Sequence, residues 1–394
     1  MSRPLHVLVA FGGPSPEHEV SVLTGMQVIA ALRDTHHTVT PLYVSKSGRW
    51  FTGPSLADLK TFTDVKRAEE SGVECAFALQ STGKAHLQQT SKPGFFSSPQ
   101  SWQVDVVVPA FHGSDGENGA FQGVCDVFNI PFTSSGVSGS AIGMDKRIAK
   151  AVCRAYGFPV VPDVSFREPQ WAADQHHWIE QAEALGYPLF VKPVHLGSSI
   201  GVGRATDRAS LITAVEDAFR YDVSILVEKG VTPLREINCS VLGSPDEAIA
   251  SVCEQPKGTG ELLSFQDKYQ SGDASKGMAS AERLIPAPID QAVSDRIQTL
   301  SVAIFQSFGC SGVARLDFLM NDSTGAVFFN EINTQPGSFS FYLWTHSQIN
   351  FTQLMERLIE LALEQHRLRN GRVRSYSTNL LSQKAATGLK GLKK

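Results

Sequence analysis

Four polar residues on two short apolar runs are the part of this chain best equipped for chemistry. Arg315 and Asp317 lie in Ala-Arg-Leu-Asp-Phe-Leu-Met, and Glu331 and Asn333 in Ala-Val-Phe-Phe-Asn-Glu-Ile-Asn-Thr-Gln-Pro-Gly, which ends at Gly337. The residues between, Asn321–Gly325, are turn formers, so the stretch reads as a β-hairpin. Strand side chains alternate faces, and a turn centred on Thr324 sets Asp317 opposite Glu331 and Arg315 opposite Asn333. Leu316, Phe318 and Ile332 then fall on the other side. Two carboxylates about 5 Å apart repel by roughly 3 kcal/mol at an effective dielectric near 20, so the pattern calls for a cation. Hard oxygen donors with room left for phosphate and water suit Mg2+ carried with a nucleotide. A salt-bridged solvent face around Arg315 is the competing reading, and the hairpin alone leaves both open.

Other candidates sit at the ends of predicted strands. Leu5–Phe11 reads as a strand, followed by Gly12-Gly13-Pro14-Ser15-Pro16-Glu17 and a helix to about Leu32, with Ser15 as N-cap and Pro16 at the first helical position. Glu17 is either a surface acid favoured by the helix dipole or a carboxylate for a ligand ammonium. Strands His37–Val44 and Val104–Phe111 continue an α/β pattern. The loop after the latter, from His112 to Gly119, holds three glycines where open α/β sheets bind ligands. The sequence between Trp50 and Trp102 shows little pattern.

A boundary is expected near Gly136–Asp145, then helices Asp145–Tyr156 and Asp174–Leu185. Tyr187–Pro193 is a strand carrying an outward Lys192, and the glycine- and hydroxyl-rich turn from Gly197 to Gly203 leads to a second strand. Such a hairpin either covers phosphates with backbone N–H and Ser hydroxyls or is a plain surface loop. Beyond helix Ala209–Arg220 come strands Ile225–Glu228 and Glu236–Leu242. A polar stretch to about Ala281, a candidate lid, contains Lys268 and Tyr269. Ile289–Phe308 and Phe351–Arg367 read as helices, and the basic end beyond Gly371 as a disordered tail.

A chain of 394 residues with 42% hydrophobic content can bury the cores of two or three domains. Its net charge of −4 gives no field that favours nucleic acid or anionic membrane. No apolar run approaches the ~18 residues of a membrane span, and the N-terminus lacks a signal-peptide pattern. The cysteines at 75, 125, 153, 239, 253 and 310 contain no Cys-x-x-Cys and read as reduced, intracellular thiols. A dinucleotide oxidoreductase needs a Gly-x-Gly-x-x-Gly turn, which Gly12-Gly13-Pro14 does not supply.

Taken in order, these motifs resemble the D-alanine–D-alanine ligases of the ATP-grasp superfamily. The carrying residues are 12–21, 112–123, Met144-Asp145-Lys146, Val191-Lys192-Pro193 with 197–201, Val227-Glu228-Lys229, Lys268-Tyr269, Arg315-Leu316-Asp317 and 331–337. The resemblance covers roughly residues 5–365. It implies an α/β ATP-grasp ligase of three domains: an N-terminal Rossmann-like open sheet (1–140) and two α+β subdomains (141–230 and 231–371) that hold the nucleotide between them, followed by a basic tail (372–394).

The resemblance also implies roles. Lys146 and Lys192 would hold the phosphates of ATP under the loop carrying Ser198 and Ser199. Glu228 and Lys229 would meet the adenine and Glu236 the ribose. Asp317, Glu331 and Asn333 would carry two Mg2+, with Mn2+ as a substitute. Glu17 would bind the ammonium of the first D-alanine, in a group with Ser198 and Tyr269. Arg315 and the Gly337 backbone would steady the oxyanion. His112, Lys268, Tyr342 and Leu343 would lie by the acceptor. A cytoplasmic homodimer making D-alanyl-D-alanine for peptidoglycan is the implied protein. Tyr342 departs from the family, which places there a Ser that holds the acceptor carboxylate, and Leu263-Ser264-Phe265 departs in the lid. An acceptor other than D-alanine, such as D-lactate, D-serine or a specialised amino acid, is therefore the alternative.

Overall fold

The computed structural model describes residues 3–92, 98–257, 283–375, 377–379 and 381–382. The first sheet opens with β1 (His6–Gly12), whose interior is apolar and buried because a parallel strand lies on each side. Its neighbours are β2 (Thr38–Val44) and β7 (Val106–Pro109). The unpatterned stretch between Trp50 and Trp102 folds as short antiparallel strands β3 (Trp50–Thr52), β4 (Val73–Leu79), β5 (Ala85–Gln89) and β6 (Ser101–Gln103), giving the order β6-β5-β4-β3-β2-β1-β7. Helices α1 (His18–Arg33), α2 (Val65–Ser71) and α3 (Ala120–Val127) belong to this unit. At Gly25 a Cβ would lie 2.5 Å from the Phe11 ring, so only glycine lets α1 approach β1 this closely.

The expected cap of α1 moves. Ser15 gives its hydroxyl to the His112 carbonyl and accepts from the Glu17 N–H, and the helix starts at His18 with Glu17 as N-cap. The Glu17 side chain makes no capping bond, because its carboxylate is engaged by Ser198.

Gly136–Asp145 is largely α4 (Val137–Met144), followed by α5 (Lys146–Ala155) under an Asp145 side-chain cap. A second, antiparallel sheet comprises β8 (Asp163–Arg167), β9 (Leu189–Pro193), β10 (Gly203–Ala205) and β11 (Ser224–Lys229), in the order β10-β9-β11-β8. Helices α6 (Glu168–Ala173), α7 (Gln175–Glu183) and α8 (Arg208–Ala218) accompany it; residues of all three join its apolar core.

The third sheet, β14-β13-β12-β15-β16, is antiparallel throughout. Its strands are β12 (Leu234–Gly243), β13 (Ala248–Pro256), β14 (Arg283–Leu284), β15 (Gly312–Asn321) and β16 (Val327–Asn333). Helix α9 (Gln291–Ser307) packs behind it. After the third sheet come α10 (Phe341–His346) and α11 (Phe351–Asn370), the latter opened by a reciprocal capping box between Asn350 and Gln353. The apolar face of α11, with Leu354, Leu358 and Leu361, joins the core of β1 and α1, tying the C-terminal helix to the first sheet. Lys268, Tyr269, the lid and most of the tail lie outside the described residues.

Candidate active site

The hairpin adopts the expected register. Asp317 pairs with Glu331 and Arg315 with Asn333, while Leu316 and Ile332 are buried on the opposite face. Past Asp317 the register shifts, so that Phe318 pairs with Phe329 and Asn330 has no counterpart. A β-bulge of this kind re-aims side chains, and here Asn330 and Glu331 both face the cleft between the second and third sheets.

Cations meet the acids across that cleft. Arg315 donates from Nε and Nη2 to the two Asp317 oxygens, each at 2.7 Å, and Asn333 Nδ2 donates to Asp317 Oδ2 at 3.3 Å. Lys146 Nζ lies 3.2 Å from Glu331 Oε2 and donates to the Leu196 carbonyl at 2.6 Å. Lys192 is buried in the cleft instead of pointing outward. It donates to Asn330 Oδ1 at 2.9 Å and lies 2.6 Å from Glu228 Oε2. The other Glu228 oxygen is 2.6 Å from the ammonium of Lys150, which has no exposed surface. Burial pushes the Glu228 carboxyl up, but the two ammonium groups outweigh it and hold it at about 2. Burial pulls Lys150 down, against the pull of Glu228. Burial works the same way on Lys192, where Glu228 prevails and raises it. Lys229, Glu236 and Ser199 line the same cleft.

At the end of β1, Ser198 Oγ donates to Glu17 Oε1 at 2.5 Å, joining the first unit to the β9–β10 loop. Ser198 and Ser199 adopt left-handed φ of 54° and 59°, a strained backbone of the kind that collects at functional sites. A Cβ on Gly113 would stand 2.9 Å from Glu17 Oε2, and its φ is +71°, so the loop after β7 needs glycine there. His112 Nε2 lies 2.8 Å from Thr24 Oγ1, and its Nδ1 lies 3.5 Å from Glu117, whose carboxyl burial raises above the usual range.

After Gly337 the residues Ser338, Phe339 and Ser340 have φ of 51°, 54° and 49°. Left-handed backbone costs non-glycine residues roughly 1–2 kcal/mol each. The Ser338 N–H is held by Thr24 Oγ1 at 3.3 Å, and the run delivers buried Tyr342 and Leu343 into α10. The Tyr342 hydroxyl donates to Glu254 at 3.1 Å.

The structure thus gathers Lys146, Lys192, Ser199, Glu228, Lys229, Glu236, Asp317 and Glu331 in one cleft, with Asn333 and Arg315 at Asp317. It joins Glu17 to Ser198, and sets Gly337, Tyr342 and Leu343 on the segment leaving the hairpin. Sequence reasoning missed Lys150, Asn330, Glu117 and Glu254. Lys150 had a signal, since it stands four residues after Lys146 on the same helical face.

Two antiparallel α+β units closing on a cleft of lysines and acids, behind an open parallel-centred sheet, define the ATP-grasp ligase class. Residues 6–135 match the family model described as D-ala D-ala ligase N-terminus, and residues 152–360 that of D-ala D-ala ligase C-terminus. The D-alanine–D-alanine ligase of Thermosipho melanesiensis is 34% identical over 380 residues, covering 96% of this chain and 99% of that one. Among solved structures, the D-alanine-D-alanine ligase from Coxiella burnetii superposes with a TM-score of 0.76 at 28% identity, covering 93% of this chain and 97% of its own. VanG D-Ala:D-Ser ligase from Enterococcus faecalis also gives 0.76 at 28%, covering 91% and 100%. This chain belongs to the D-alanine–D-alanine ligase family.

Proposed function

We propose that this chain uses ATP to join two D-alanines through an acyl phosphate, giving the D-alanyl-D-alanine of peptidoglycan synthesis. The observation that carries the reading is the in-register Asp317–Glu331 pair facing Lys146 and Lys192 across one cleft. Lys146 and Lys192 neutralise the phosphates, under the loop of Ser198 and Ser199. Glu228 and Lys229 meet the base, and Glu236 the ribose. Glu17 takes the ammonium of the first D-alanine, whose carboxylate oxygen attacks the γ-phosphorus and displaces ADP. His112 lies towards the second amino acid, whose amine then attacks the acyl carbon. Phosphate leaves, and Arg315 with the Gly337 N–H steadies the oxyanion. Lys268 and Tyr269 complete this assignment from the sequence.

Asp317, Glu331 and Asn333 offer two carboxylates and an amide, all hard oxygen donors on one face, and so fit Mg2+ or Mn2+. We infer two divalent ions held there, which would supply positive charge to the triphosphate. Three separate sheets support the division at about residues 140 and 230. Six free, buried cysteines accord with a cytoplasmic enzyme, and among the described residues no helix is long and apolar enough to cross a membrane. The homodimer is tested by sedimentation.

Incubation with Mg-ATP and D-alanine alone tests the reading. D-alanine-dependent ADP and phosphate, with a product of dipeptide mass, is expected. ADP without dipeptide removes it, and product only when D-serine or D-lactate is added moves the chain to that acceptor.

A further inference from the structure

The row that carries Asp317 and Glu331 continues across the third sheet. The registers of β13, β12, β15 and β16 align Glu254, Asn238, Asp317 and Glu331 in turn. Directly opposed residues share a face, so the nucleotide face carries a further carboxylate at its far end.

Glu254 is 1% exposed, and three groups hold it. Asn238 Nδ2 and the Tyr342 hydroxyl each donate to Oε1 at 3.1 Å, and Arg283 Nη1 donates to Oε2 at 3.0 Å. The Arg283 guanidinium also covers the Tyr342 ring, with its central carbon 3.9 Å from the ring centre. Glu254 therefore fixes a phenol and a guanidinium stacked on each other, and Arg315 and Arg283 both act electrostatically on that phenol. A buried carboxylate with three donors is an expensive arrangement to keep without a task, because each member loses water to join it.

The task follows from the chemistry of the second substrate. An amino acid acceptor must present a neutral amine to the acyl carbon while its carboxylate, withdrawn from water, faces a cation. Arg315, bidentate to Asp317, is assigned to the oxyanion. The phenol has one proton, and it goes to Glu254. We propose that Arg283, held by Glu254 against the Tyr342 ring, supplies the positive charge that receives the acceptor's carboxylate, with Glu254 as the positioning residue. Tyr342 then forms the wall that limits acceptor size and does not bond the carboxylate. This rests on the ligase reading and names the groups that select its second substrate.

Steady-state kinetics of the full chain with Mg-ATP, resolving the KM values of the two D-alanine sites, test it in Glu254→Gln, Arg283→Met and Tyr342→Phe. Glu254→Gln keeps the shape and removes the charge. Glu254→Gln and Arg283→Met are expected to raise the acceptor KM by about tenfold or more, with the ATP and first-site KM within about twofold. Tyr342→Phe keeps the stacked ring and moves the acceptor KM less. With D-alaninamide as acceptor, which lacks the carboxylate, Arg283→Met should lose the wild-type preference for D-alanine. Dipeptide formation with an unchanged acceptor KM in Glu254→Gln and Arg283→Met overturns the assignment, as does an equal rise in all three KM values, which marks a folding support. A wild-type chain that forms no dipeptide removes the ligase reading itself, and this assignment with it.

Discussion

Replacing Lys150 by methionine tests how the nucleotide cleft is held together. The substitution keeps the length of the side chain and deletes an ammonium with no exposed surface, 2.6 Å from Glu228. Two lysines hold Glu228 near 2, against an ordinary value of 4.5. That depression is worth about 3 kcal/mol of stability at neutral pH. The sign is that of a depressed acid: the contribution is present above 4.5 and is lost as pH falls through about 2. With the Lys150 ammonium gone, Lys192 alone opposes burial, so the Glu228 carboxyl rises and its contribution at neutral pH shrinks. Removing one partner of a buried ion pair typically costs about 3–5 kcal/mol, and retention of Lys192 places this case near the lower figure. Urea denaturation followed by tryptophan fluorescence, at about pH 7.5 and about pH 5, measures both effects. The Lys150→Met variant should lose about 3 kcal/mol at the higher pH and no more than that at the lower, because a buried carboxyl raised above 4.5 takes up a proton on folding and gains stability as pH falls. A loss under about 1 kcal/mol at both pH values would show that Lys150 does not hold Glu228 ionised.

Other outcomes follow from single contacts. Asp317→Asn and Glu331→Gln should each abolish D-alanine-dependent ADP formation while leaving the circular dichroism spectrum intact; turnover in either variant counts against the metal assignment. His195 is raised to about 9, first by its hydrogen bond to Asp145 and then by Asp222. Its contribution to stability is whole below 6.5 and disappears as pH rises through about 9. His195→Gln should therefore flatten the alkaline fall in melting temperature, and parallel curves for the two proteins would refute this. Gly25→Ala drives a methyl into Phe11 and should destabilise by about 1–3 kcal/mol in urea; an unchanged midpoint would show that α1 shifts freely. Tyr342→Ser should alter acceptor preference more than ATP affinity, and competition among D-alanine, D-serine and D-lactate reads the difference.

The parts of the site legible in the sequence are those fixed by local rules. Turn residues and alternation were enough to place Asp317 opposite Glu331, because a hairpin register depends on a few neighbouring residues. The helix expected over Asp145–Tyr156 was legible and is found at Lys146–Ala155. What escaped depends on partners distant in the chain or on broken rules. Lys150 is a lysine in a helix until Glu228, on another sheet, closes on it. Asn330 reaches Lys192 because a bulge inserts it, and alternation carries no mark of an insertion. Glu254 stands on β13, a strand that sequence reasoning left unassigned. The left-handed run Ser338–Ser340 has no glycine to announce it and persists because Thr24 and the surrounding core hold it.

The reaction proposed for this cleft phosphorylates a carboxylate and then captures it with an amine. D-alanine labelled with 18O in both carboxylate oxygens tests it in one turnover experiment, with the phosphate and dipeptide analysed by mass spectrometry. The oxygen that attacks the γ-phosphorus stays on that phosphorus when the amine displaces it. A single 18O is expected in each phosphate formed, and a single 18O in the new amide carbonyl. Unlabelled phosphate released with ADP, or label found in AMP, would contradict the acyl-phosphate route.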